Sequence, residues 1–331
     1  MRRIVYSCPF VPAEWIAAHR LRPSRILPGL AGAAPGRAEG LCPYAEAFGL
    51  AASADASAEA IVATTVCDQM RRLPDVLAAQ ADRPVFLLNV PATWETPASH
   101  RYYLDELKRL GRFLVALGGA APEPAHLAAV MRDYDTARSH LRAARGRLSA
   151  VAYAEAIAEF HRLGDPVAAR GVPDDPAGAV RGAGVPVALL GGPMRREDFA
   201  VFRVIEEAGG TVVLNGTESG ERTLPAPFDR RRLRDDPLME LADAYFGAIP
   251  DASRRPNHEL YRWLKRETVA RGVRGIIVWR YLWCDIWHAE VQRLKEWEHL
   301  PVLALDAADN DQAGSWGGLL TRVQAFLEIL S

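Results

Sequence analysis

Two cysteines of this chain are each followed by an aspartate, and each pair comes directly after an apolar run. Cys67 and Asp68 stand in "TTVCDQMRR", and Cys284 and Asp285 stand in "LWCDIWHAE". With four cysteines among 331 residues, a disulfide scaffold is excluded. A thiolate at the start of a helix is favoured by the unpaired N–H groups and the positive end of the helix dipole. Such positions suit metal binding, catalysis or a place in the core.

A third cysteine, Cys42 in "EGLCPYAEAFG", lies in a segment with glycine and proline, which we expect to form a loop that reaches the same crevice. Soft thiolate ligands select zinc, copper(I) or iron–sulfur clusters. No Cys-x-x-Cys pair of the kind found in zinc sites occurs, because the three cysteines are 25 and 217 residues apart. The spacing therefore favours a cluster between domains over a zinc knuckle. Buried free cysteines at strand ends are common, so spacing alone favours the core interpretation over both.

The strands and helices that must position Cys67 are predicted from the spacing of apolar residues and from the glycines and prolines between the apolar segments. The short apolar runs at 59–66 and 83–90 are typical of parallel strands covered on both faces. A helix is predicted between them, despite Pro74. An amphipathic helix then follows, with leucines on one face and a stop at Gly118, and two further helices are predicted at 124–145 and 149–163.

The second half repeats this order around Cys284. Four strands and five helices are predicted there: strands 185–193, 211–216, 273–283 and 300–306, and helices 195–210, 237–246, 257–271, 284–299 and 317–330. A connection rich in glycine, proline and aspartate spans 164–184. We therefore predict an α/β protein with two similar doubly wound, Rossmann- or flavodoxin-like parallel-sheet domains and extra helices, divided as 1–180 and 181–331. Ligands of such sheets bind at the carboxyl ends of the strands, so the site is expected in the crevice between the domains.

The composition excludes several classes of partner. The chain is 49% hydrophobic and 24% charged with a formal net charge of -1, which predicts a globular protein without a field that attracts nucleic acid or an anionic membrane. No apolar stretch approaches the ~20 residues of a membrane span. Pro9, Pro12 and Glu14 break up the apolar region that a signal peptide would need near the start of the sequence. We expect a cytoplasmic protein that binds neither nucleic acid nor membrane.

Five motifs in order resemble one family over nearly the whole chain: the D-component subunits of 2-hydroxyacyl-CoA dehydratases and benzoyl-CoA reductases, including their double-cubane cluster reductase relatives. The motifs are "FVPAEWIAAHRLRP", "LCPYAEAFG", "CDQMRR" with "PVFLLNVP", "WCDIWHAE", and "LPVLALD" with "TRVQAFLEIL". One departure is Ala18-His19, where relatives usually show Ala-Gly. Each motif is weak by itself, and five in the right order are specific.

The resemblance implies a [4Fe–4S] cluster, or a shared double-cubane cluster, bound by Cys42, Cys67 and Cys284, with one iron position free of protein sulfur. It implies three partners: a homologous subunit or a second copy of the chain, an ATP-hydrolysing iron–sulfur activator protein that delivers one low-potential electron, and an acyl-CoA substrate. The dehydratases use the electron to form a ketyl radical anion that expels the hydroxyl group, and the reductases consume theirs on an aromatic ring or another resistant bond.

Two other functions stay open, and Cys8 bears on one of them. Cys8 lies outside the matched cysteine loops and is interpreted as a buried thiol. As a fourth ligand it would close the cluster and favour an electron-transfer or assembly partner without its own substrate. In the other alternative the chain is a metal-free α/β binding module whose cysteines belong to the core.

The residues around the cysteine motifs carry weaker signals. An apolar wall around Cys284 or ordinary core packing would account for Trp279, Tyr281, Trp283 and Trp287. His288 is predicted to be a helix-surface residue rather than a ligand or proton carrier. Arg71 and Arg72 fit either a solvated helix face or contacts with CoA phosphates or the activator. "LLGGP" at 189–193 is a weak phosphate-loop signal, since the full dinucleotide fingerprint is absent.

Overall fold

The computed structural model describes residues 1–29, 41–78, 83–167, 184–297, 299–307 and 314–330. Within these residues the strands form two sheets of four parallel strands each. The predicted boundary at 180/181 lies outside the described residues, so the division at that point stays a prediction.

The first sheet has the strand order β2-β1-β3-β4. Its strands are β1 (Arg3–Tyr6), β2 (Arg22–Arg25), β3 (Ala58–Thr64) and β4 (Val85–Leu88). Six helices accompany it: α1 (Ala13–Ala18), α2 (Pro43–Ala54), α3 (Asp68–Ala78), α4 (Pro97–Ala116), α5 (Pro124–Ala144) and α6 (Ala150–Leu163). Residues of α2 and α3 pack on one face of the sheet and residues of α1 and α4 on the other. The sheet is therefore doubly wound.

The second sheet repeats this order as β6-β5-β7-β8. Its strands are β5 (Val185–Gly191), β6 (Gly210–Gly216), β7 (Gly275–Tyr281) and β8 (Val302–Ala307). The accompanying helices are α7 (Ala200–Glu207), α8 (Arg232–Asp235), α9 (Pro237–Ala242), α10 (His258–Ala270), α11 (Asp285–Glu296) and α12 (Gly314–Leu330). Short 3-10 turns lie at Glu197–Phe199 and Glu221–Thr223, and a π-helical turn lies at Asp243–Gly247. The predicted fold class is confirmed.

Successive residues of the central strands face opposite sides of the sheet, and both sides are buried. Ile61 of β3 faces the layer of α2 and α3, whereas Val62 faces the layer of α1 and α4. Ile277 and Val278 of β7 alternate in the same way. β-branched residues pack well on such a surface, and both neighbours of each strand are strands, so the continuous apolar runs predicted β3 and β7 correctly.

The opening β1, α1 and β2 were not predicted, because β1 has four residues and β2 has no apolar run. β2 reads "RPSR" and is an edge strand, where proline is tolerated. Its polar side chains bind the end of α6: Arg22 Nε donates to the Leu163 carbonyl at 2.9 Å, and Ser24 Oγ donates to the Arg162 carbonyl at 2.7 Å. Contacts distant in the chain thus create this strand.

The two halves of the chain pack into each other. One apolar cluster contains both Val5 of the first sheet and Val187 of the second. The core beneath the first sheet is completed by residues from 228–249. Glu14, the glutamate of the opening motif, is fully buried and accepts hydrogen bonds from Arg138 and, at 2.6 Å, from the Tyr245 hydroxyl. None of the helices in the described parts of the chain is both long and apolar enough to cross a membrane.

Candidate functional site

A cavity of ≈ 730 Å³ lies at the carboxyl ends of the strands of both sheets. Cys42, Cys67 and Cys284 all line it. Cys67 follows β3 and Cys284 follows β7, and these two strands hold the same place in their sheets. In doubly wound sheets ligands bind outside the strand ends where the strand order reverses, which here is between β1 and β3 and between β5 and β7. The crevice predicted from the sequence therefore contains all three cysteines.

Each of the three cysteines lies at the start of a helix, and their carbonyls share one hydrogen-bonding pattern. Each cysteine carbonyl accepts the amide four residues on, at 2.9 to 3.0 Å. The sulfurs of Cys42 and Cys67 accept the amide three residues on, at 3.4 and 3.5 Å. The corresponding amide, that of Trp287, lowers the pKa of Cys284. Three helix N-termini, which favour negative charge, are thus directed at the thiols.

Two further contacts hold the cysteine loops in place. The Cys42 amide donates to Gln69 Oε1 at 2.8 Å, which joins the start of α2 to the start of α3. After β5, Gly192 lies so close that a Cβ there would be 3.9 Å from Cys284 Sγ and 3.2 Å from Trp287 Cδ1. The "LLGGP" segment therefore lies against Cys284, and its glycine permits that approach.

The thiols lie in an apolar environment and influence one another. Burial raises the pKa of Cys67 and that of Cys284 to about 12. The neighbouring Cys42 contributes to both of these increases, and Cys67 also contributes to that of Cys284. Near neutral pH both thiols are therefore protonated unless a bound metal stabilises their thiolate forms. Ligation would have to release their protons, as it does in thiolate metal sites.

A site for a single metal ion is absent from the described residues, since no three His, Cys, Asp or Glu side chains there converge closely enough to bind one ion. A tetrahedral zinc site needs sulfurs ~2.3 Å from one point. In an iron–sulfur cluster each thiolate binds a different iron, so the ligand sulfurs stand further apart. Three thiols at separate helix N-termini around one cavity fit that donor arrangement.

Cys8 also lines the cavity but packs with a different group of residues. It is 4% exposed and belongs to the apolar cluster of α1 and α4, whereas Cys67 and Cys284 pack against the cluster that contains Cys42. Burial raises its pKa, and the strongest charged contribution comes from Glu218. Cys8 is therefore set apart from the other thiols.

The aromatic residues around Cys284 divide into two groups. Tyr281, Trp283 and Trp287 line the cavity. Trp283 is 57% exposed at its mouth, whereas Trp287 is 3% exposed. Trp279 lies outside the lining and stacks on Trp316, with ring centroids 6.1 Å apart. The wall predicted from the sequence contains three of the four residues, and Trp279 is a core residue.

The charged candidates lie at the surface. His288 is exposed and lies outside the cavity lining, as predicted for a helix-surface histidine. Arg71 lines the cavity mouth, is exposed and lies 3.9 Å from Asp68, while Arg72 is exposed outside the lining. Of these three residues, Arg71 is the one placed to reach a ligand in the cavity.

One acidic residue of the cavity was missed by sequence reasoning. Glu218 lies in the polar loop after β6 and lines the cavity. Its pKa is raised from 4.5 to about 7, mainly by burial and also by Asp251, with Arg25 and Arg222 acting in the opposite direction. A glutamate in the loop "NGTESGERT" gives no sequence signal, because its burial comes from β2 and β5.

The cavity continues beyond the cysteines toward the end of β4. Asn89, Tyr102 and Arg255 line this part. Asn89 is held by Glu106, whose Oε2 accepts its amide N–H at 2.8 Å and its side-chain Nδ2 at 3.0 Å. Tyr102 is 48% exposed, which marks the opening to solvent. There is room for a ligand next to the sulfurs.

Comparison with known families supports the sequence resemblance. The family profile described as 2-hydroxyglutaryl-CoA dehydratase, D-component, matches residues 8–330. No curated protein matched the chain. The matched residues include all four cysteines and every strand of both sheets except β1. The chain belongs to the 2-hydroxyglutaryl-CoA dehydratase D-component family.

Proposed function

We propose that this chain is the iron–sulfur subunit of an enzyme that removes water from a 2-hydroxyacyl-CoA thioester, using one electron from an ATP-hydrolysing activator protein. Family membership makes the chain a component of a dehydratase-type enzyme. The cluster, the activator and the thioester are the proposed parts. A homologous subunit or a second copy of the chain completes the enzyme, which we expect in the cytoplasm.

The observation that carries the proposal is the meeting of three thiols at one cavity. Cys42, Cys67 and Cys284 come from three separate parts of the chain, and each begins a helix at the cavity wall. These residues would hold a [4Fe–4S] cluster or one half of a shared double-cubane cluster. Such a cluster, with one iron not bound to protein sulfur, supplies a low-potential electron and a coordination position open to an oxygen ligand.

The remaining residues control charge and water at the thiols. The amides at the start of α2, α3 and α11 stabilise negative charge on the sulfurs. Tyr44, Tyr281 and Trp287 are each less than 5% exposed and cover the inner wall. Apolar walls exclude water and tune the reduction potential of a metal site. The chain thus provides a donor set with an apolar inner wall.

The size of the cavity favours a substrate-binding subunit over a protein that only transfers electrons. The part lined by Asn89, Tyr102 and Arg255 extends away from the sulfurs and opens to solvent. A protein that only passes electrons needs no such space beside its cluster. Reduction of a ring or a small molecule at the same position is the alternative reaction within this proposal.

The test is anaerobic reconstitution of the purified chain with iron and sulfide, followed by metal and sulfide analysis and EPR spectroscopy. We expect a brown protein whose EPR signal changes when a 2-hydroxyacyl-CoA is added. Cys8→Ser serves as the matched control for Cys67→Ser. A wild-type protein that remains colourless would refute the cluster, and a cluster signal that no CoA thioester changes would refute the substrate assignment.

A further inference from the structure

The carboxyl group of Glu218 differs from the other buried carboxyls in its partners. Four deeply buried carboxylates each accept hydrogen bonds from at least two donor groups: Glu14, Asp198, Asp251 and Glu290. In the part of the chain that the structure describes, no group donates a hydrogen bond to the Glu218 carboxyl. Its closest cation is Arg25, with Nη2 3.7 Å from Oε1. The other four carboxylates are held by hydrogen bonds, whereas the Glu218 carboxyl has, among the described residues, only this long ion pair with Arg25.

The backbone of Glu218, in contrast, is firmly held. Its amide donates to the carbonyls of Gly191 and Gly192 at 3.2 and 3.0 Å. Its carbonyl accepts from Arg25 Nη2 at 2.9 Å and from Thr223 Oγ1 at 3.0 Å. These bonds fix the residue between β2 and β5 at the cavity wall. The backbone thus fixes the position of a side chain that is 16% exposed and whose carboxyl has no hydrogen-bond donor within the described ranges.

Arg25 is engaged elsewhere and does not neutralise this carboxyl by a direct hydrogen bond. Its Nε donates to the Ser7 carbonyl at 2.6 Å, and its Nη1 donates to Thr223 Oγ1 at 3.2 Å. The groups that act electrostatically on Glu218 or are acted on by it come from several elements: Arg25, Arg222, Asp251, Tyr44, Cys8, Cys67 and Cys284. Two acidic groups, or three once a thiol ionises, thus share this region with two arginines.

We propose that Glu218 is the acid of the reaction: it touches the hydroxyl oxygen of the bound 2-hydroxyacyl thioester and gives it the proton with which it leaves. This inference rests on the proposed function. It explains why a largely buried glutamate of the cavity lining has no hydrogen-bond donors for its carboxyl in the described part of the chain. Burial, which raises the pKa of this group to about 7, keeps a proton available near neutral pH.

The step is balanced in atoms and electrons. The thioester carbonyl first takes up the electron that the iron–sulfur activator protein delivers. The carbon–oxygen bond then breaks, its electron pair leaves with the oxygen, and the oxygen takes the Glu218 proton to depart as water. The neighbouring carbon then loses a proton to the Glu218 carboxylate, and the electrons of that C–H bond form the double bond. The electron from the iron–sulfur activator protein is returned at the end. The products are an enoyl thioester and water, and Glu218 is protonated again.

The test compares wild type with Glu218→Gln, which keeps the shape and the backbone bonds but carries no exchangeable acid proton. The matched control is Glu290→Gln, the same change at a buried carboxyl outside the cavity. We expect Glu218→Gln to bind iron, sulfide and a 2-hydroxyacyl-CoA like wild type, and kcat to fall by at least about 100-fold with little change in KM. Glu218→Asp, which retains an acid, should recover part of the rate.

A second readout does not need the loaded enzyme. Infrared spectra of the cluster-free wild type near neutral pH should contain a protonated-carboxyl C=O band that is absent from Glu218→Gln and present in Glu290→Gln. An unchanged kcat in Glu218→Gln, or an infrared band that survives that substitution, would overturn the inference. If wild type takes up no iron, the proposed function fails, and the assignment of Glu218 as an acid on this substrate fails with it. If wild type takes up iron and only the Glu218 results are negative, the proposed function stands alone.

Discussion

Replacing Glu218 by glutamine is expected to change how the stability of the cluster-free protein depends on pH. Burial raises the pKa of Glu218 from 4.5 to about 7. Between these values the folded protein binds more protons than the unfolded chain. The free energy of unfolding therefore falls as pH rises through this window. Its contribution is fully present below about pH 4.5 and lost above about pH 7.

The magnitude follows from the size of the shift. One pKa unit corresponds to about 1.4 kcal/mol, so the shift of Glu218 corresponds to roughly 3 kcal/mol. Glutamine has no titratable proton, so this fall in the free energy of unfolding with rising pH is absent from the variant. The free energy of unfolding of Glu218→Gln minus that of wild type should grow by roughly 3 kcal/mol between about pH 4.5 and pH 8. Titrations that the two proteins share cancel in this difference.

Urea denaturation of both proteins under reducing conditions, at intervals across this range, measures the difference directly. Glu290→Gln is again the control. It removes a carboxylate that accepts hydrogen bonds from Asn257 and Tyr261, both at 2.6 Å, so it should lower the free energy of unfolding outright. A difference between Glu218→Gln and wild type that stays constant from about pH 5 to pH 8 would show that the Glu218 carboxyl is not held protonated by its surroundings.

Three further substitutions probe the site and the packing of the chain. Cys8→Ala should leave iron and sulfide per chain unchanged, because Cys8 packs with another cluster; a loss of iron in metal analysis would make it a ligand. Gly192→Ala should speed iron loss to a chelator, because its Cβ would meet Trp287 at 3.2 Å; an unchanged rate would contradict this contact. Glu14→Gln should lower the free energy of unfolding by about 3 kcal/mol in urea denaturation, because buried Arg138 loses the closer of its two acidic partners and keeps only Asp135 at 3.7 Å; a loss below about 1 kcal/mol would refute that role.

The parts of the fold that were predictable depend on local pattern. The middle residues of β3 and β7 are continuously apolar because both faces of the sheet are covered, and each strand ends three residues before a cysteine. Cys67 and Cys284 could therefore be assigned to strand ends from the sequence. Cys42 was expected in a loop, whereas it begins α2, with Pro43 in the first turn. The helix signal was present in that proline, but the glycine and proline upstream favoured a loop.

The parts that were not predictable depend on contacts between distant residues. β2 exists because Arg22 and Ser24 bind the end of α6, more than 130 residues away. Glu218 is distinguished by the hydrogen bonds that its carboxyl lacks, which no sequence pattern records. The role of Glu14 as a buried partner of Arg138 is equally invisible in the motif that contains it.

The most direct test of a shared cluster is iron and sulfide analysis with EPR on wild type and on Cys42→Ser, Cys67→Ser and Cys284→Ser, all reconstituted without oxygen. Three thiols that bind one cluster predict about four irons and four sulfides per wild-type chain. They also predict a marked loss of both in each variant, with Cys8→Ser like wild type. Wild type without iron, or full iron retained when any of the three is replaced, would contradict the claim that these thiols bind a common cluster.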